Sequence, residues 1–118
     1  MALIITGIGD KGKLSDERVG FRVTSKGDLK YFVVFATRFT ETGFYNRSKN
    51  AFWFAPEEIQ AGDRVVLYTK AGADSFQNND DGTKTYFKYW GLSQPIFANE
   101  TNGIVIAEVD NWSLSEKF

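Results

Sequence analysis

The chain predicts an all-β fold, a single antiparallel sandwich or barrel of about seven or eight short strands. Three observations carry that reading. Apolar segments are short, alternate with period two or are apolar on both faces, and are separated by Gly-, Asp- and Asn-rich turns. Aromatic residues reach 16%, with 11 Phe, 5 Tyr and 3 Trp, as suits half-buried pleated surfaces. No long stretch has a helical apolar period without a Gly or Pro nearby.

Leu3 to Ile8 is apolar and β-branched, and predicts a first strand ending in the turn cluster Gly9-Asp-Lys-Gly-Lys13. Arg18 to Thr24 alternates, with Val19, Phe21 and Val23 on one face and Arg18, Gly20 and Arg22 on the other. Lys26-Gly-Asp28 then signals a tight turn. Lys30 to Phe39 is apolar on both faces, which predicts a central strand. Residues 40–49 are polar and contain Gly43, hence a loop, and Ala51 to Phe54 predicts a short aromatic strand. Pro56 and Gly62 bracket a turn around Glu57-Glu-Ile-Gln60.

Arg64 to Lys70 is again apolar on both faces. Residues 71–83 are Gly, Asp, Asn and Ser around one Phe76, which predicts a long and mobile loop. Lys84 to Trp90 alternates cleanly, Gln94-Pro95 marks a break, and Gly103 to Val109 is the last strand. Mid-strand apolar positions predict a core containing Val33, Phe35, Val65, Leu67, Phe87, Ile104 and Ile106.

Composition narrows the chemistry. With 118 residues the chain predicts one domain, 1–118, able to bury roughly two-thirds of its unfolded surface. A hydrophobic content of 42% argues against disorder. A net charge of −1 lacks the electrostatic footprint of a duplex-DNA or anionic-membrane binder. The absence of Cys and His excludes disulfides, thiolate catalysis, a serine–histidine triad and zinc sites built on those ligands. Met1 to Gly7 carries no positive n-region, and no run approaches a membrane span, so a cytoplasmic chain is expected.

Phe52-Trp-Phe54, Ile59-Gln-Ala-Gly62, Val65-Val-Leu67, Trp90-Gly-Leu92, Pro95-Ile-Phe97 and Gly103-Ile-Val-Ile106 stand in a telling order. From Phe52 to about Asp110 this order resembles the lamin tail domain, an immunoglobulin-like β-sandwich. The early strands fit more loosely, through Val19–Val23 and Tyr31–Phe35. Two features depart from the family pattern: the 71–83 segment is longer, and Asn102-Gly103 replaces the usual Gly-Asp before the last strand. The resemblance implies an immunoglobulin-like sandwich acting as a binding or structural module. It brings no shared catalytic site and carries over no functional residues.

Candidate chemistry is sparse. Asp74, Asp80 and Asp81, with Asn78 and Asn79, offer oxygen ligands for Ca²⁺. The spacing is not that of an EF-hand, and Asp-Asp-Gly is equally a turn signal, so no cofactor is the leading expectation. Lys84, Tyr86, Lys88 and Trp90 share one strand face and could stack a sugar ring or single-stranded nucleic acid. The competing reading is cross-strand packing under Lys stems. Glu57-Glu58 and Glu108 with Asp110 supply carboxylates for a small hydrolase only if the fold brings two together across a cleft. Phe76, a lone aromatic on a polar segment, is a candidate anchor for a partner. The leading expectation is a non-catalytic module binding a protein partner or its own copy. A carbohydrate-binding module and a carboxylate hydrolase are the alternatives.

Overall fold

The structure, a computed structural model, describes residues 1–48 and 50–115. Lys49, the end of the loop expected over 40–49, lies outside the described residues, as do residues 116–118 of the expected domain. In chain order the strands are β1 (Leu3–Gly9), β2 (Arg18–Val23), β3 (Gly27–Asp28), β4 (Phe32–Thr40), β5 (Gly43–Phe44) and β6 (Asn50–Trp53). They continue as β7 (Glu58–Ile59), β8 (Arg64–Tyr68), β9 (Ser75–Asn78), β10 (Lys84–Tyr89) and β11 (Asn102–Glu108). The one helical piece among the described residues is a 3-10 turn, Leu29–Tyr31, begun by the Asp28 carboxylate accepting from Lys30 N. The protein is all-β. No helix among the described residues is long and apolar enough to cross a membrane.

All the strands expected from the sequence form, as β1, β2, β4, β6, β8, β10 and β11, and β3, β5, β7 and β9 are additional. One sheet runs β1-β2-β8-β10-β9. In the second, β4 lies between β11 and the strands β5 and β6, and β3 with β7 makes a small third sheet. The central placement of β4 follows from its two apolar faces.

The expectation of a wholly antiparallel fold needs correction, because β8 and β10 pair in parallel. The cause is residues 71–83. Four residues of this segment, Ser75–Asn78, form β9 on the outer side of β10, and the chain then turns back to insert β10 between β9 and β8. Gly72 makes that crossing close: a Cβ there would stand 2.4 Å from the Tyr89 ring. The segment is thus a strand and a turn, where the sequence predicts an unstructured loop.

The two larger sheets supply one core. Leu3, Val19, Phe21, Val23, Val65, Leu67 and Tyr86 come from the first, and Phe32, Val34 and Ile104 from the second. Leu29, Phe54, Ile59 and Phe97 fill the remainder from the third sheet and the connections. Of the expected core, Val65, Leu67 and Ile104 belong to this cluster, and Ile106 packs against it. Val33 is buried outside the cluster, and Phe35 and Phe87 are half-buried on outward faces. The reason is that β4 and β10 are apolar on both faces, so alternation does not choose between them. Pairing does: Ile104 sits opposite Ala36 and Ile106 opposite Val34, which turns the Phe32, Val34 and Ala36 face inward.

Candidate functional site

The face of β10 that carries Lys84, Tyr86 and Lys88, continued by Trp90 just past the strand, turns toward the interior. Tyr86 and Lys88 are buried, Trp90 is half-buried against Phe52, and Lys84 is exposed at the strand start. The Tyr86 hydroxyl donates to Glu58 O at 3.3 Å. Burial pushes that hydroxyl's pKa up, and the charges of Asp63, Glu57 and Glu58 add to the effect. Lys88, with its side chain only 8% exposed, places Nζ 3.0 Å from Glu57 Oε1 and 3.5 Å from Asp74 Oδ2. A buried ammonium requires such partners. An open row of Tyr86 and Trp90 is therefore not what this face presents, and its packing follows the cross-strand reading.

The acidic residues disperse. Asp74 faces Lys88, while Asp81 accepts from Thr83 Oγ1 at 2.6 Å and from Thr83 N at 3.0 Å. The bond from the Thr83 hydroxyl, and then that from its backbone N–H, hold the Asp81 carboxyl below the usual range. Asp80 is exposed, and among the described residues no three His, Cys, Asp or Glu side chains gather to hold a metal ion. Glu57, Glu58 and Asp63 do line a cavity of about 360 Å³ with Lys84 and Tyr86. Its charges are largely engaged: Glu57 by Lys88, and Asp63 by the backbone N–H groups of Gln60 and Lys84. Glu108 and Asp110 are exposed at the end of β11 and beyond it.

Phe76 is 57% exposed on β9, whose outer side has no strand partner among the described residues. Its ring lies 6.2 Å from that of Tyr86, and Lys84 Nζ stands 5.0 Å above it.

A larger cleft forms where the second sheet outruns the core. Along the inner face of β4 the side chains go from Phe32 and Val34 through the small Ala36 to the exposed Arg38. Arg38 pairs across the sheet with Asn102, and Ala36 with Asn50, so those amides share the same face. Tyr45 and Arg47 close one side, and Leu92 to Ile96 form the opposite wall, enclosing about 640 Å³. Arg38 lies with Cζ 4.5 Å from the Tyr45 ring centroid, and Tyr45 N donates to Arg38 O at 2.9 Å. The Thr37 hydroxyl donates to Tyr45 O. These bonds fix the Tyr45 backbone beside the strand. Among the described residues, neither Arg38 nor Arg47 enters an ion pair and no carboxylate lines the cleft.

The far wall is held from behind by Glu17, which is fully buried. Its Oε1 accepts from Gly12 N and Phe97 N at 2.9 Å each, and its Oε2 from Thr69 Oγ1 at 2.5 Å and Ile96 N at 2.8 Å. Burial pushes this carboxyl up, but the four donated bonds outweigh it and leave the pKa below the usual carboxylate range. Asn102 Nδ2 adds a bond to Ile96 O at 2.8 Å, so the wall is tied on both sides. A third feature is aromatic. Trp53 and Trp112, about half exposed, meet edge-to-face at 5.2 Å beside Tyr31.

Sequence reasoning missed Arg38, Arg47 and Glu17. Arg38 is legible as the next even position after Phe32, Val34 and Ala36. Glu17 has no local signal, because every partner but Gly12 lies more than fifty residues away. No protein-family model, curated protein or solved structure matches the chain.

Proposed function

We propose that the protein is a non-catalytic binding module on an immunoglobulin-like sandwich of the lamin-tail kind, docking an extended segment of a protein partner along β9. The observation that carries this reading is Phe76, exposed on a strand whose outer edge is free among the described residues. An open edge offers unpaired backbone groups for strand addition, and an exposed aromatic beside it supplies an anchor. Asp74 precedes the strand and Asp80 and Asp81 follow it, so an apolar partner segment flanked by basic residues matches the charge. The engagement of Glu57, Asp63 and Glu17 as structural acceptors supports a non-catalytic role. The order of β6, the Pro56–Gly62 turn, β8, the turn after Trp90 and β11 supports the lamin-tail resemblance. A chain without Cys suits a reducing compartment, and we place the module in the cytoplasm.

The test is an NMR titration with a synthetic peptide of alternating Val and Phe bracketed by Lys. Shifts concentrated at the Ser75–Asn78 amides, and lost in Phe76→Ser, are expected. Millimolar peptide that leaves those amides unmoved refutes the docking edge. Sedimentation of the protein alone, run alongside, separates peptide docking from self-association: peptide-independent dimers lost in Phe76→Ser assign the edge to a second copy.

The exposed Trp53 and Trp112 pair favours carbohydrate as a second reading, since sugar rings pack on such faces. Soluble polysaccharide should then shift tryptophan fluorescence in wild type and not in Trp112→Ala. An unchanged spectrum removes this reading.

A further inference from the structure

We infer that the cleft between β4 and the Leu92–Ile96 wall is a binding site for a phosphorylated sugar or a similarly small, hydroxylated organic phosphate. Its volume of about 640 Å³ falls within the range of small-molecule sites. Charge decides the sign of the ligand. Arg38 and Arg47 both line the cleft with no carboxylate among its lining residues and no ion pair of their own among the described residues. Two guanidinium forks match the charge and the oxygen geometry of a phosphate dianion. The acid-lined cavity near Asp63 has the opposite character and repels such a ligand.

The remaining lining selects the organic part. Asn50, Gln94 and Asn102 present amides suited to hydroxyl groups, while Leu92, Pro95 and Ile96 present an apolar wall to a ring face. The site is also preorganised, which limits the entropy lost on binding. Arg38 is stacked on Tyr45, whose backbone is bonded to Arg38 and Thr37. The opposite wall is tied by Glu17 and Asn102. This site is separate from the β9 edge and stands or falls independently of it.

The experiment follows the backbone and arginine Nε–H resonances by NMR during addition of glucose 6-phosphate, glucose or inorganic phosphate. Saturable shifts at Arg38, Arg47 and Asn102 with glucose 6-phosphate are expected, with weaker binding of either component alone. Arg38→Gln and Arg47→Gln should each weaken binding by about tenfold or more, the worth of one charge-assisted contact. Both arginines are exposed, and only the exposed contact of Arg38 with the Tyr45 ring is lost, so the variants should stay folded with at most about 1 kcal/mol less stability. Resonances at Arg38 and Arg47 that stay unmoved at millimolar sugar phosphate overturn the inference. So does equal affinity for inorganic phosphate, which leaves no role for the organic part, and so does undiminished binding in the double variant.

Discussion

Glu17 and the arginine pair Arg38 and Arg47 are charges on opposite sides of the same wall, and they are treated in opposite ways. The carboxylate is fully buried and receives four hydrogen bonds from the protein. The guanidinium groups are exposed, face a cleft and form no ion pair among the described residues. A charge whose bonding capacity is filled from within acts on folding. One whose donors face an open cavity is available to something else. Lys88 belongs with Glu17 by this criterion, since Glu57 and Asp74 face it.

The largest effect that could break the comparison is at Glu17. Glu17→Ala leaves several buried donors without an acceptor, at about 1–3 kcal/mol each, so a loss on the order of 3–5 kcal/mol is expected in urea unfolding. A loss under about half a kilocalorie, typical of surface changes, would mean the clamp is not structural. The same residue sets a pH dependence. Its pKa is depressed in the folded protein, so its contribution is present above the unfolded value of about 4.3 and is lost as pH falls through the folded value. Glu17→Gln should flatten stability against pH in that acid window, and an unaltered profile would contradict the assignment.

A smaller effect concerns the floor of the second sheet. Gly103 lies under the Phe39 ring, where a Cβ would come within 2.4 Å of Cζ. Gly103→Ala should cost about 1–3 kcal/mol through overpacking and displace Phe39. Thermal unfolding checks the cost. A neutral result would show that the exposed Phe39 ring swings aside freely.

These contrasts explain what could be read from the sequence. The long strands were legible because β2 alternates and because β4 and β8 are apolar on both faces. The same two-sidedness hid which face of β4 and β10 looks inward, since only cross-strand pairing decides that. The parallel insertion of β10 was hidden because Ser75-Phe-Gln-Asn78 is short and polar, and only its pairing with β10 makes it a strand. For the site, Arg38 was legible from strand period, whereas the wall it faces depends on bonds between Glu17 and residues about eighty positions away. Contacts of that range leave no local pattern. The proposed carbohydrate face on β10 had suitable residue types, but Tyr86 and Lys88 spend their polar atoms on Glu58, Glu57 and Asp74.

The most direct measurement is the unfolding midpoint of wild type and of the Arg38→Gln, Arg47→Gln double variant, each in buffer and in saturating glucose 6-phosphate. In buffer the two stabilities should agree to within about 1 kcal/mol, the worth of the exposed contact between Arg38 and the Tyr45 ring. With the sugar phosphate, wild type should gain about 2.7 kcal/mol at a hundredfold excess over its dissociation constant, and the double variant should gain almost nothing. A double variant that is clearly destabilised in buffer would show that the arginines serve the fold as Glu17 does. One stabilised by the ligand as much as wild type would show that they are not what the cleft uses to bind.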